Sequence, residues 1–186
     1  MASILVKMST ASTNVDSYNR HAVSGSDTNI NNGYVFRLDT KSGSSGFEEC
    51  WDVSAPSASG STLNELWMAC DAESVVTTQG TGSTQKQYKG LNPDIRDFTN
   101  LGGKAFSAFK LIPGDQIKLT ADDISGSPSA GSYLNPVSGS YILAFGASAT
   151  ASALNLKLIR ETYHSIGSGN IDNQRVLAYE LEVIAN

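Results

Sequence analysis

In the last third of the sequence Val176, Ala178, Glu180 and Glu182 alternate with Leu177, Tyr179, Leu181 and Val183, and Leu154, Leu156 and Leu158 keep the same spacing. A period of two sends successive side chains to opposite faces of a strand, so two central strands are expected here. Gly167, Ser168, Gly169 and Asn170 lie between them and read as the loop that closes an antiparallel pair. No comparably strong helical repeat competes with this pattern anywhere in the chain.

The same logic places further strands upstream. Asn32-Gly33 before Tyr34 to Leu38 is a turn feeding a strand, because Asn-Gly tolerates positive φ. Glu48 to Val53, Leu66 to Cys70, Val75 to Thr78, Ala105 to Leu111 and Tyr141 to Phe145 are further strand candidates, with Phe106, Phe109 and Leu111 assigned to the core. Pro113-Gly114-Asp115 turns into Gln116 to Thr120, where Ile117 and Leu119 face one way and Lys118 the other. Thr77 to Gln87 reads as an exposed hairpin loop, and Pro93 to Asn100 as the one short helical turn. Ser125 to Ser140, broken by Gly126, Pro128, Gly131, Pro136 and Gly139, reads as an irregular tip or lid. Many short strands separated by turn signals about every dozen residues describe an all-β fold, an antiparallel β-sandwich or barrel-like domain with long Gly/Ser-rich loops.

The N-terminal part breaks this rhythm. Residues 9 to 33 are polar, and the apolar patch Ile4, Leu5 and Val6 lies outboard of them. The expected organisation is an extended arm over 1–29 and a single β-rich domain over 30–186. Two readings of the patch stay open: an edge strand of the same domain, or a strand that docks on another chain.

Composition narrows the function. Charged residues make up 17% of the 186 residues, against about 25% in typical globular chains. The formal net charge of -5, with no run among the 13 basic residues, argues against a nucleic-acid partner. The apolar stretch near the start is too short for a secretory h-region, and no run approaches the ~20 residues that span a bilayer, so a soluble chain is expected.

Motifs for chemistry are sparse. Gly-x-Ser-x-Gly is absent, and Gly80-Thr81-Gly82 and Gly167-Ser168-Gly169 lack the third glycine of a nucleotide loop. His21 and His164 are the sole histidines, one in the polar stretch and one at a strand end, and both are read as non-catalytic. Asp122-Asp123 and Asp71 with Glu73 lack EF-hand spacing and read as solvated loop carboxylates. Cys50 and Cys70 have no companions for a zinc site; reduced thiols are the simpler reading, with a disulfide left open. Trp51 and Trp67 occupy strand-like segments and are assigned to the core rather than to sugar stacking, and Arg96 is assigned a local ion pair with Asp94 or Asp97. No enzyme activity, cofactor or metal is expected.

Three segments carry a family resemblance. Asp27 to Leu38 contains Ile30-Asn31-Asn32-Gly33-Tyr34-Val35-Phe36-Arg37-Leu38; Leu66-Trp67-Met68-Ala69 leads to Glu73-Ser74-Val75-Val76; and Asn92 to Asn100 is followed by Ala105-Phe106 and Gly114 to Thr120. Spanning about residues 27 to 124, they resemble head decoration, or cement, proteins of tailed bacteriophages. The resemblance implies a β-tulip-type domain and a virion protein, made in the host cytoplasm, that binds the outer capsid surface and stabilises the shell. Its implied partners are the major capsid protein and further copies of itself, a trimer being favoured, with no nucleic acid and no membrane. Within that reading Ile4, Leu5, Val6 and Lys7 are the capsid-contact candidates, through strand addition to a capsid subunit. The alternative is a carbohydrate- or receptor-binding module of a phage fibre or surface protein.

Overall fold

A computed structural model of the chain describes residues 4–57, 65–71, 76–79, 86–89, 96, 98–128, 132–150, 154–166 and 174–186, with 76–79 and 86–89 described by their backbone alone. In chain order the strands begin with β1 (Leu5–Ser9), β2 (Asn19–Val23), β3 (Val35–Lys41), β4 (Trp51–Ser54), β5 (Trp67–Ala69), β6 (Val76–Gln79) and β7 (Lys86–Lys89). They continue with β8 (Ala105–Lys110), β9 (Gln116–Thr120), β10 (Ile124–Ser125), β11 (Tyr133–Pro136), β12 (Leu143–Gly146), β13 (Asn155–Ile166) and β14 (Gln174–Ala185). Helical structure among the described residues is limited to short 3-10 turns such as Ser12–Asn14 and Asp16–Tyr18, so the all-β expectation holds. Half of the proposed helical turn at 93–100 (residues 93–95 and 97), and the loop at 167–170, lie outside the described residues.

Five strands close into a barrel in the order β2-β4-β3-β5-β8. Its bore is filled by Ala22, Ala69 and Ala108 together with Phe36 and Phe106, whose rings meet edge to face at 5.6 Å, and by Ile30. Small residues opposite two aromatics suit the narrow interior that so few strands enclose. Seven strands form an open sheet in the order β1-β9-β14-β13-β11-β12-β10, and β6 pairs with β7 as a separate hairpin. Val35, Met68 and Phe109 on the outer wall of the barrel share one apolar cluster with Leu5, Ile117, Leu119, Leu134, Leu156, Tyr179 and Leu181 of the sheet. Barrel and sheet are thus two layers over a common core.

Three expectations need correction. Residues 4–29 are not an extended arm, and of the two readings of the Ile4 to Val6 patch the edge strand of the same domain holds. β1 pairs antiparallel with β9, matching Leu5 to Leu119 and Lys7 to Ile117, and β2 pairs with β8 along its whole length. Ile4, Leu5, Ala22 and Val23 are all buried, so this polar stretch is anchored at both ends by short apolar pairs. The segment from Ser125 to Ser140 is not simply a lid either, since it supplies β11, whose Leu134 is fully buried between β12 and β13. Finally, the pairing is not uniformly antiparallel: β2 runs parallel to β4, and β10 parallel to β12.

Asparagine and aspartate side chains join the pieces where backbone pairing stops. Asn32 Nδ2 donates to Asp71 O at 3.0 Å while Asp71 N donates to Asn32 Oδ1 at 2.9 Å. Gly33, next in the turn, has φ of 88°, a left-handed value that glycine adopts without strain. Asn186 treats Leu66 in the same reciprocal way and also donates to Leu111 O at 2.8 Å. Asp115, 1% exposed, accepts from Ala11 N, Ser12 N and Ile112 N and so ties the chain after β1 to the turn before β9.

Candidate docking surface

The four residues expected to contact a capsid lie at the first edge of the seven-stranded sheet. Ile4 and Leu5 point into the core at 2% and 8% exposure, Ile4 N donates to Thr120 Oγ1 at 2.8 Å, and Thr120 N donates to Ile4 O. Their side chains therefore serve this chain's own packing and are not a contact surface. Val6 is half-buried and Lys7 exposed, with the Lys7 ammonium 4.5 Å from the centre of the Phe109 ring. What remains on offer is the outer backbone edge of β1, which has no strand beside it among the described residues.

A larger feature lies at the middle of the sheet. β13 and β14 pair over their whole lengths, with a register shift at Leu158/Arg160. Their neighbours are much shorter: β9 covers β14 only from Ala178 to Glu182, and β11 covers β13 only at Leu156 and Lys157, extended by the bond from Leu158 N to Ser132 O. Residues Tyr163 to Ile166 and Gln174 to Leu177 therefore form a two-stranded ribbon with no third strand among the described residues, while Ile159 to Thr162 lie on an open edge of β13. This open stretch of β13, eight residues in extended conformation, reaches roughly 26 Å. Tyr163 is 60% exposed on the ribbon and Ile159, on the open edge, 46%. Tyr163 stands opposite Leu177, and Glu161, one step along the same face, stands opposite Tyr179.

The base of the ribbon is braced by charge. Arg160 donates through Nε and Nη2 to both oxygens of Glu180, at 2.6 and 3.0 Å. The guanidinium holds the Glu180 carboxyl below the usual carboxylate range, and Glu180 in turn raises the Arg160 pKa. His164, on the same strand, is half-buried, and burial followed by the Lys118 ammonium pushes its pKa down, which favours the neutral imidazole.

The other singled-out residues are dispersed. His21 is on β2 in the barrel and His164 is on β13 in the open sheet. His21 shares a small cavity of about 200 Å³ with Lys7, Asn19, Cys70, Ser107 and Phe109 at the seam between the layers. Ser107 Oγ donates to Asp71 Oδ1 at 3.3 Å, which commits that hydroxyl to a carboxylate rather than to the histidine. Cys50 and Cys70 form no disulfide; Cys50 is buried beside the start of β4, where loss of hydration pushes its thiol pKa up. Trp51 and Trp67, expected in the core, are only half-buried, with the Lys41 ammonium 5.6 Å from one ring centre and the Arg20 guanidinium 5.8 Å from the other. Arg96 pairs with Asp122 at 3.8 Å, a residue distant in sequence, while Asp94 and Asp97 lie outside the described residues. Asp123 accepts from Asn31 Nδ2 at 2.9 Å, and Glu73 is likewise outside. Among the described residues no three His, Cys, Asp or Glu side chains gather as metal ligands would.

The ribbon was the feature least visible in the sequence. Apolar alternation stops at Leu158 although the strand continues for eight more residues, because beyond it only Ile166 is buried and Thr162 and His164 on the same alternation are half-buried polar residues. The available signal is the mismatch between that early stop and the alternation that persists opposite it from Val176 to Val183. No protein-family model, curated protein or solved structure matches the chain.

Proposed function

We propose that this chain is a non-enzymatic virion structural protein that binds the exterior of an assembled phage capsid and stabilises the shell. The observation that carries the reading is the ribbon of residues 163–166 and 174–177, which overruns the sheet and, with the open edge of β13 beside it, exposes Tyr163 and Ile159 on a braced, preformed element. An aromatic on a rigid support buries much apolar area for little ordering entropy, which suits docking on a protein surface. The resemblance carried by residues 27–124 supplies the class of partner, the major capsid protein. The acidic net charge of -5 suits an outer rather than a DNA-facing position.

Stabilisation follows from mass action. A ligand that binds only the assembled lattice lowers its free energy by about 2.7 kcal/mol per site when present at a hundred times its Kd. Contacts that span neighbouring capsid subunits select the mature spacing, and a trimer at a local three-fold position multiplies the effect through linked contacts.

Co-sedimentation of the purified chain with mature shells and with unexpanded procapsids tests this. The expected result is saturable binding to mature shells, abolished in an Ile159→Ser/Tyr163→Ser variant that retains the native thermal transition. A folded wild-type chain that binds neither particle overturns the capsid reading. Unchanged binding by the variant removes the ribbon from it.

A further inference from the structure

On the outer wall of the barrel, β2 and β4 place Val23 and Asp52 side by side. The loops after β2 and β3, together with Gly103, enclose them in a cleft of about 430 Å³ lined by Ser24, Ser26, Ser44, Phe47, Asp52 and Val53 among others. The walls are held in place by hydrogen bonds of the lining residues themselves. Ser24 Oγ donates to Thr28 O at 2.6 Å, Gly103 N donates to Ser24 O at 3.1 Å, and Phe47 N donates to Ser44 O at 3.0 Å. Gly102 packs so closely that a β-carbon there would fall 2.4 Å from Ser26 O.

Asp52 stands out in this setting. Its residue is half-buried, yet among the described residues its carboxylate has no hydrogen bond and no ion pair, unlike Asp71, Asp115 and Asp123 elsewhere in the chain. A carboxylate in a cleft that takes no hydrogen bond from its own chain has its acceptor oxygens available to a ligand. Ser26 and Ser44 line the same cleft, and Phe47 adds an apolar residue to it.

We propose that this cleft binds a neutral saccharide, with one pyranose ring in the pocket. A carboxylate accepts hydrogen bonds from two neighbouring sugar hydroxyls, serine hydroxyls donate to or accept from a third, and the C–H face of the ring packs on Phe47. The volume lies at the small end of ligand cavities and suits a single sugar unit. The lone negative charge excludes sugar acids and phosphates, and one carboxylate is too few for a calcium ion that takes six to eight oxygens. The site is separate from Trp51 and Trp67, the residues that composition offers first for sugar stacking, and it does not depend on the capsid reading.

The test is an NMR titration of the full chain, isotope-labelled, with glucose, galactose, mannose, rhamnose and N-acetylglucosamine, and with glucuronate and butylammonium as charged controls. The expected result is saturable shifts confined to the amides and methyls of Val23, Ser44, Phe47 and Val53 for at least one neutral sugar. Asp52→Asn, which keeps size and removes charge, is expected to weaken that binding about tenfold. Absence of shifts at these residues with every neutral sugar overturns the proposal. So does equal affinity for glucuronate or butylammonium, or undiminished binding by a folded Asp52→Asn chain.

Discussion

Asp115 holds β1 in the sheet, and its removal is the sharpest test of the two-layer architecture. The carboxylate is 1% exposed and accepts from Ala11 N at 2.8 Å, Ile112 N at 3.1 Å and, more weakly, Ser12 N at 3.4 Å. A hydrogen bond to a charged group contributes about 1.5–3 kcal/mol. The lower figure applies to the first two bonds, because Ala11 is at the surface and its amide rehydrates once the acceptor is gone. Asp115→Ala is therefore expected to lower unfolding free energy by about 3 kcal/mol, which in a chain of this size lowers Tm by roughly 6–12 °C. Asp115→Asn keeps one acceptor oxygen but turns an amide donor towards a backbone N–H, so an intermediate loss is expected. Urea unfolding followed by tryptophan fluorescence gives the energy, and amide exchange gives its location: protection should fall first in residues 5–12 and at Leu119. A loss under about 0.5 kcal/mol would refute the clamp, as would an equal loss with unchanged exchange in β1.

Two further outcomes follow from named contacts. Glu180 has a folded-state pKa below its unfolded value, so its pairing with Arg160 stabilises the fold above the ordinary glutamate pKa and is lost as pH falls through the lowered folded value. The Tm gap between wild type and Arg160→Met should thus be open at neutral pH and narrow on acidification below about pH 4, read by calorimetry; a gap that is constant with pH shows that the ion pair is not its source. Gly102→Ala would drive a β-carbon against the backbone oxygens of Ser26 and Gly25, at 2.4 and 2.7 Å, and should cost about 1–3 kcal/mol, whereas Gly43→Ala, with open space around it, should stay within about 0.5 kcal/mol in the same denaturation assay.

Legibility in the sequence followed burial. Where a strand has one face in the core, as in Gln116–Thr120 with Ile117 and Leu119 fully buried and Lys118 not, period two reports it directly. β2 was missed as part of the domain, and β1 left open between an edge strand and a docking strand, because each region contributes only a pair of buried residues, Ile4 with Leu5 and Ala22 with Val23, too few to establish a period. The abundance of asparagine, aspartate and serine read as loop, yet Asn32, Asn100 and Asp115 are buried and act as side-chain substitutes for backbone pairing. Their partners, Asp71, Ile30 and Ala11, are distant in sequence, and no local pattern encodes them. The same holds for Asp52 and Phe47, whose shared cleft exists only once the parallel β2/β4 pair has formed.

The place of β14 in the sheet also sets an order of events during synthesis. The last strand in sequence lies between β9 and β13, so β1 with β9 on one side has no link to β13, β11, β12 and β10 on the other until residues 174–185 have left the ribosome. Until then the nascent chain exposes one edge of β9, the long edge of β13 and the apolar side chains of Leu119 and Leu156, the kind of surface that chaperones hold and that aggregates form on. The barrel, whose five strands end at Lys110, meets no such delay, and β14 completes the sheet against a layer whose strands all precede it in the sequence.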